Sequence, residues 1–211
     1  MDNELRCVSH EIRNQISVCE LYTQVIRKNL SNIGVKNDSI DNAIECITKS
    51  LKLMSCSLAD LKSMDNFLPR RCQLKDILKS AIDLSVVYVQ KKDIEITLSC
   101  NDGCDVYIDE DKFLACGVNI IKNAIEAIDK KGFVRIEVYQ NDDNVRILFI
   151  NNGSKIPDGV DIFKQGFTTK KTGSGLGLAI CKENLKLQGA DIKLNKSTED
   201  LTEFEIVLAK Y

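Results

Sequence analysis

Apolar residues recur at three- and four-residue intervals through the first third of the chain. Leu5, Val8, Ile12, Ile16, Cys19, Ile26 and Leu30 fall on one face of a helix predicted over residues 4–30. Residues 31–39, with Gly34, Asn37 and Asp38, read as a turn. A second helix is predicted over 40–66. Its Ile44, Ile47, Leu51, Met54, Leu58 and Leu61 alternate three and four apart, the a/d spacing of a helix that needs a partner. Two long helices with a short connection make an antiparallel hairpin. Each is ~40 Å long at ~1.5 Å per residue. A covered seam side chain is worth roughly 1.5–3 kcal/mol, and a hairpin covers its own seam poorly. A homodimer, with two hairpins forming a four-helix bundle, is the expected state; a hairpin folded back on the rest of the chain is the alternative.

Pro69 breaks the helical pattern. The boundary is placed there, giving a helical hairpin over 1–68 and a second domain over 69–211. In the second domain helical and alternating patterns interleave. Helices are predicted over 74–89, 111–130 and 176–187, the last ending at Gly189 as its cap. Strands are predicted over 94–100, 105–109, 133–139, 145–150, 190–194 and 204–208. Residues 151–175 form one long loop, and long loops inside compact domains usually serve function. The fold class is α+β: a helical hairpin followed by a two-layer α/β sandwich with mixed strands.

Composition narrows the function. The 211 residues are 44% hydrophobic and carry 29 Lys plus Arg against 31 Asp plus Glu, a net charge of -2. This balance gives no footing for nucleic acid. No apolar run approaches the roughly 18 residues of a membrane span, and Met1–Arg6 lack the apolar core of a signal peptide. A soluble, cytoplasmic chain without direct membrane contact is expected. The nine cysteines include no zinc-like pairing; Cys100 and Cys104 are the nearest approach, and all nine read as small apolar residues in a reducing compartment. The chain has one histidine, so chemistry that needs an imidazole must use His10.

At ~100° per residue, with Leu5 at zero, the seam of the first helix centres near about -20° and His10 near about 140°. His10 therefore points away from the seam, where packing does not require it. A neutral imidazole is a good nucleophile because its pKa lies near ~6.5. A neighbouring carboxylate, Glu11, can take or orient the ring proton. Asn14, one turn on, can orient a substrate or water. As surface residues, Glu11 and Arg13 are otherwise ordinary solvated charges.

Asn119 and Asn123 lie four apart on a predicted helix, so their amides share a face. Asn is a poor helix former, and amide oxygens suit Mg²⁺, although capping or exposure also accounts for such a pair. Asn151–Pro157 follows a strand, with Gly153 where backbone can approach a ligand closely. Gly173, Gly175, Leu176 and Gly177 open a helix, whose free N–H groups suit a polyphosphate. Between these loops, Phe163 and Phe167 read as anchors of a movable lid. Lys170 and Lys171 are placed to meet phosphate charge or simply to be solvated.

Taken in order, these segments resemble the sensor histidine kinases of two-component systems. His10-Glu11-x-Arg13-Asn14 looks like the H box and Asn119–Ala127 the N box. Asn151–Pro157 resembles G1, Phe163 with Phe167 the F box, and Gly173–Gly177 the G2 box. The resemblance implies a dimerisation and histidine-phosphotransfer hairpin followed by a Bergerat-type ATP-binding domain. It implies His10 as phosphoacceptor, Glu11 as its proton partner, Asn123 as the Mg²⁺ ligand and Asn119 beside the phosphates of ATP. Gly153 and Gly173–Gly177 would flank the nucleotide, and the onward acceptor would be an Asp of a response-regulator receiver domain.

Asn151 stands where G1 usually has an adenine-contacting Asp, Lys155 replaces the second G1 glycine, and Gln15 replaces a frequent Pro. Two other readings compete: a histidine phosphotransfer protein with a degenerate nucleotide site, and another ATPase of the same nucleotide fold, such as the mismatch-repair, topoisomerase, heat-shock-chaperone or anti-sigma-factor kinase types. The intact N, F and G2 elements weigh against the first; a histidine-bearing hairpin weighs against the second. With only nine residues before His10, an excised core and a small soluble kinase fed by a partner are both compatible with the chain.

Overall fold

A computed structural model describes residues 2–34, 37–59, 67–169 and 175–209, with the backbone alone for residues 2–11, 13, 14 and 56–59. The chain forms two compact units, Met1–Lys62 and Ser63–Tyr211.

The first unit holds α1 (Asp2–Asn32) and α2 (Asp38–Ala59), which pack on each other. Asn37 starts α2: its Oδ1 accepts the N–H groups of Ser39 and Ile40 at 3.0 and 3.2 Å, and Asp38 and Asp41 lie in the positive first turn. The predicted continuation of α2 through residues 60–66 lies outside the described residues.

The apolar seam is split rather than shared. Ile16 and Thr23, seven apart on α1, are buried, as are Ile44 and Leu51, seven apart on α2, and Ile16 meets Leu51 in one cluster. The other layer stays exposed: Ile12, Cys19 and Ile26 on α1, Ile40, Ile47 and Met54 on α2, with Ile47 at 49% and Met54 at 55%. Of the predicted seam, Ile16, Ile44 and Leu51 thus find cover inside the pair. A helix buries one stripe against one neighbour, and the second layer of a heptad needs another helix.

The second unit runs β1 (Arg70–Gln73), α3 (Leu74–Ser85), a 3₁₀ turn (Val86–Tyr88), β2 (Asp93–Ser99), β3 (Asp105–Ile108), α4 (Glu110–Ala127), β4 (Lys131–Gln140), β5 (Asn144–Asn151), α5 (Gly177–Leu187), β6 (Asp191–Ser197) and β7 (Thr202–Ala209). The main sheet has the order β2-β4-β5-β7-β6. β2 and β4 are parallel because α4 crosses between them; the remaining pairs are antiparallel.

Two sequence expectations change. The segment at 105–108 joins no main-sheet strand: it pairs antiparallel with Arg70–Gln73, a strand whose single buried residue, Cys72, gives too little alternation to read. The helix expected over 74–89 ends at Ser85. The Ser85 hydroxyl donates back to the Ala81 carbonyl at 2.7 Å, and β-branched Val86 and Val87 follow in the 3₁₀ turn.

α4 packs between α3 and α5. Leu78, Phe113, Ile120, Ile121 and Ile125 on the helices and Ile136, Ile147, Phe149 and Ile206 on the strands make the core. Asp109 caps α4 by accepting the Lys112 N–H at 3.1 Å. Gly189, at φ +67°, closes α5 as predicted: its N–H reaches Lys186 O and the Ala190 N–H reaches Leu185 O, the paired bonds of a Schellman end.

Candidate functional site

Of the predicted site residues of the second unit, Asn119 and Asn123 lie on α4, Gly177 meets Asn119, and Gly153 meets the last residue of α4. Asn119 and Asn123 are both half-buried on one face of α4. Asn119 reaches the start of α5: its Oδ1 lies 3.3 Å from where a β-carbon on Gly177 would stand. Any side chain at Gly177 would press on that amide. α5 begins at Gly177, and Leu176 at its N-cap position has no side chain able to cap it. The first N–H groups of α5 therefore open beside Asn119, an arrangement suited to anions.

Gly153 lies at the other end of α4. A β-carbon there would come within 2.7 Å of both the Ala127 carbonyl carbon and its Cβ, and the next N–H, on Ser154, donates to Ala127 O at 2.9 Å. Gly153 thus has a packing reason to be glycine, as the contact between the loop after β5 and the last turn of α4, in addition to the ligand approach expected from sequence. Asn151, the last residue of β5, is buried at 3%. Asn152 accepts the Phe133 N–H at 2.7 Å, which fixes the loop to β4. Ile156 N–H donates to the Ser197 hydroxyl at 2.9 Å, fixing it to β6. Lys155 pairs with Asp158 of its own loop at 2.7 Å; that hydrogen bond holds its ammonium above the usual lysine range.

Of the two aromatics expected to anchor the loop between these points, Phe163 does so. The Phe163 ring stands edge-on to Phe204 of β7, with centroids 6.5 Å apart, and the Lys182 ammonium of α5 lies 4.7 Å from the Phe163 ring centre. Gly166 and Gly175 are stitched together, the Gly166 N–H donating to Gly175 O at 3.0 Å. Gly175 has φ +68°, and a β-carbon on it would collide with the Gly166 and Phe167 backbone. Sequence reading missed Gly166 (φ +81°) and Lys182; a glycine next to an aromatic was the one available signal for the former.

Lys170 and Gly173 lie outside the described residues, as do Lys171, Thr172 and Ser174. The side chains of His10, Glu11 and Asn14 do too, although their backbone is part of α1. No helix among the described residues is long and apolar enough to cross a membrane, and they contain no cluster of metal-ligating side chains of the His, Cys, Asp and Glu types.

Residues 108–211 match the family described as histidine kinase-, DNA gyrase B-, and HSP90-like ATPase. This segment runs from the end of β3 through α4, the glycine loops and the sheet, and is a domain of that ATP-handling class. Over 205 residues, 95% of the chain, the protein is 28% identical to sporulation kinase C of Bacillus subtilis (strain 168), of which 47% is covered. Over 202 residues it is 26% identical to the signal transduction histidine-protein kinase AtoS of Escherichia coli (strain K12), covering 89% of this chain and 31% of that one. The catalytic domain of the histidine kinase ThkA has the same fold with a TM-score of 0.62 at 26% identity, covering 68% of this chain and 96% of that domain. Full-length ShkA, 18% identical, matches in fold with a TM-score of 0.65 over 100% of this chain and 47% of that one. Over most of its length the chain is similar to histidine kinases, and it spans less than half the length of the curated relatives named here.

Proposed function

We propose that this protein is a histidine kinase of a two-component system, which binds Mg-ATP in the second unit, phosphorylates its own His10 and passes the phosphoryl group to an Asp of a response-regulator receiver domain. The observation that carries this reading is the junction at α4: Asn119 meets Gly177 at the opening of α5, and Gly153 is seated on Ala127. Members of the segments read as N, G1 and G2 thus lie beside one helix, and the match of residues 108–211 to the ATPase family supports the reading.

In this reading residues 1–68 are the dimerisation and phosphotransfer domain and 69–211 the Bergerat-type catalytic domain. Asn151 and Gly153 lie on the adenine side. Asn119, Lys170 and the loop Gly173, Gly175, Leu176 and Gly177 would serve the phosphate side, where backbone N–H groups at a helix start suit an anion. Asn123 offers an amide oxygen of the kind Mg²⁺ accepts, and the bound cation would offset phosphate charge. Glu11 takes the imidazole proton while the other ring nitrogen bonds to the γ-phosphorus, and the bond from that phosphorus to the oxygen of the ADP leaving group breaks. Asn14 orients the incoming group. The phosphoryl group then moves from the imidazole to a receiver carboxylate.

The uncovered layer on α1 and α2 supports a homodimer. Ile12, Cys19 and Ile26 with Ile40, Ile47 and Met54 repeat at seven-residue intervals and are exposed in the single chain. A second copy of the helical pair, in a four-helix bundle, would bury them. The balanced charge and the apolar patterning support a cytoplasmic location.

Calorimetric titration with Mg-ATP tests the nucleotide reading. The wild type is expected to bind, and Asn123→Ala to bind on the order of tenfold more weakly. A folded wild type with no heat of binding would overturn the reading.

A further inference from the structure

Lys92 sits outside every segment discussed above, at the start of β2. Its ammonium donates to two carbonyls at the C-terminal end of α4, Ile128 O at 2.6 Å and Ile125 O at 2.9 Å. The next residue, Asp93, donates its N–H to Lys130 O at 2.7 Å. The last carbonyls of a helix lack intrahelical donors and carry the negative end of its dipole. Ile125 O also takes the Ile128 N–H at 3.3 Å, and the half-buried ammonium between the two carbonyls adds a charged donor to each. The chain adopts a strained turn to put it there. Gln90 has φ +51° and is the one non-glycine residue with positive φ among the described residues; Lys92 N–H closes this turn on Val89 O at 3.0 Å.

We propose that Lys92 is a positioning residue for the nucleotide site, acting through the last turn of α4. Asn123 starts that turn, and Ala127 ends it. Ala127 is also the seat of Gly153, which has no room for a β-carbon, and its carbonyl holds the Ser154 N–H. The Lys92 ammonium therefore clamps one turn from which the metal-side amide projects and on which the G1 loop rests. If the clamp opens, Ile125 O and Ile128 O lose their charged donor, the turn frays, and Asn123 and Gly153 lose a fixed spacing together. The closest bonds in this junction are to main-chain carbonyls, so sequence gives no motif for the role.

The inference rests on the nucleotide reading proposed above, and the test separates the two. Mg-ATP affinity is measured on the whole chain for the wild type, Lys92→Met, Lys92→Arg and a control, Val106→Ala, which opens a cavity at the fully buried Val106 of β3. Lys92→Met is expected to bind Mg-ATP roughly fivefold more weakly. Lys92→Arg, which keeps a charged donor, is expected within about twofold of wild type. Val106→Ala is expected to melt at lower temperature while its affinity stays near wild type. Wild-type affinity in Lys92→Met, or an equal loss in Val106→Ala, would overturn the role of Lys92 and leave the nucleotide reading standing. No binding by the wild type would overturn both. Should Lys92→Met fail to fold, Lys92→Gln, neutral but still a donor, takes its place with the same expectation of weakened binding.

Discussion

Gly153 lies against Ala127 so closely that a β-carbon on it would stand 2.7 Å from the Ala127 carbonyl carbon, 2.7 Å from its Cβ and 2.8 Å from its oxygen. The obstacle is main chain at a helix end that Lys92 also grips, so it does not yield as a flexible side chain would. Gly153→Ala is expected to cost about 1–3 kcal/mol of stability by overpacking and to weaken Mg-ATP binding, because the loop that lifts off Ala127 carries Asn151 at its root. Denaturant unfolding and a nucleotide titration on the same preparation check both effects. A variant as stable as wild type would mean that the loop moves aside freely.

Asn151 is buried at the end of β5, at the position where the resemblance to sensor histidine kinases implies an Asp. A neutral amide oxygen still accepts from an adenine amino group, but hydrogen bonds to charged groups are worth roughly 1.5–3 kcal/mol against ~0.5–1.5 for neutral ones. Asn151→Asp should tighten ATP binding by about tenfold or less. Unchanged affinity would count against adenine contact at this position.

The helical unit predicts a dimer that one charge can split. Ile47 is exposed in the single chain and repeats with Ile40 and Met54. In a two-fold bundle, Ile47→Lys removes two buried side chains, roughly 3–6 kcal/mol in all. Sedimentation should show the dimer dissociation constant rising by about a hundredfold or more, with the second unit still folded. An undisturbed dimer would place the interface elsewhere.

On the sheet face away from the helices, Glu205 is buried to 1% between Arg146 (Nη2 2.5 Å from Oε1) and Lys193 (Nζ 2.6 Å from Oε2). Burial acts to raise its pKa, but hydrogen bonds from Lys193 and Arg146 outweigh it and hold the carboxyl below the ordinary value. A carboxyl with a depressed native pKa stabilises the fold above its unfolded value of about 4.3 and loses that contribution as pH falls through the native value. Glu205→Gln should therefore be less stable than wild type at pH 7, by roughly 1–3 kcal/mol. The gap should narrow as pH is lowered through the acid range. A gap independent of pH would point to packing instead of charge.

Much of this fold was legible because its pattern is long and periodic. α1, α2, α4, β4 and β5 each carry enough residues for the apolar spacing to stand out, and Gly189 marked the end of α5. What escaped was short or main-chain in origin. β1 has four residues and one buried side chain. The contacts of Lys92 with Ile125 O, of Ser154 with Ala127 O and of Gly166 with Gly175 O involve carbonyls, which every residue type has alike. The glycines of the site were visible as glycines; that Gly153 is held by a helix and Gly175 by a neighbouring turn follows only from the packing. Spacing placed Asn119 and Asn123 on one face of α4, but the meeting of Asn119 with Gly177 joins residues far apart in the chain.

The most direct test of the account is incubation of the purified protein with Mg-ATP labelled at the γ-phosphate, beside His10→Gln. The account predicts acid-labile, alkali-stable label on the wild type and none on the variant, because His10 is the one imidazole in the chain. Label that persists in His10→Gln, or no label on a wild type that is folded, dimeric and binds ATP, would contradict it.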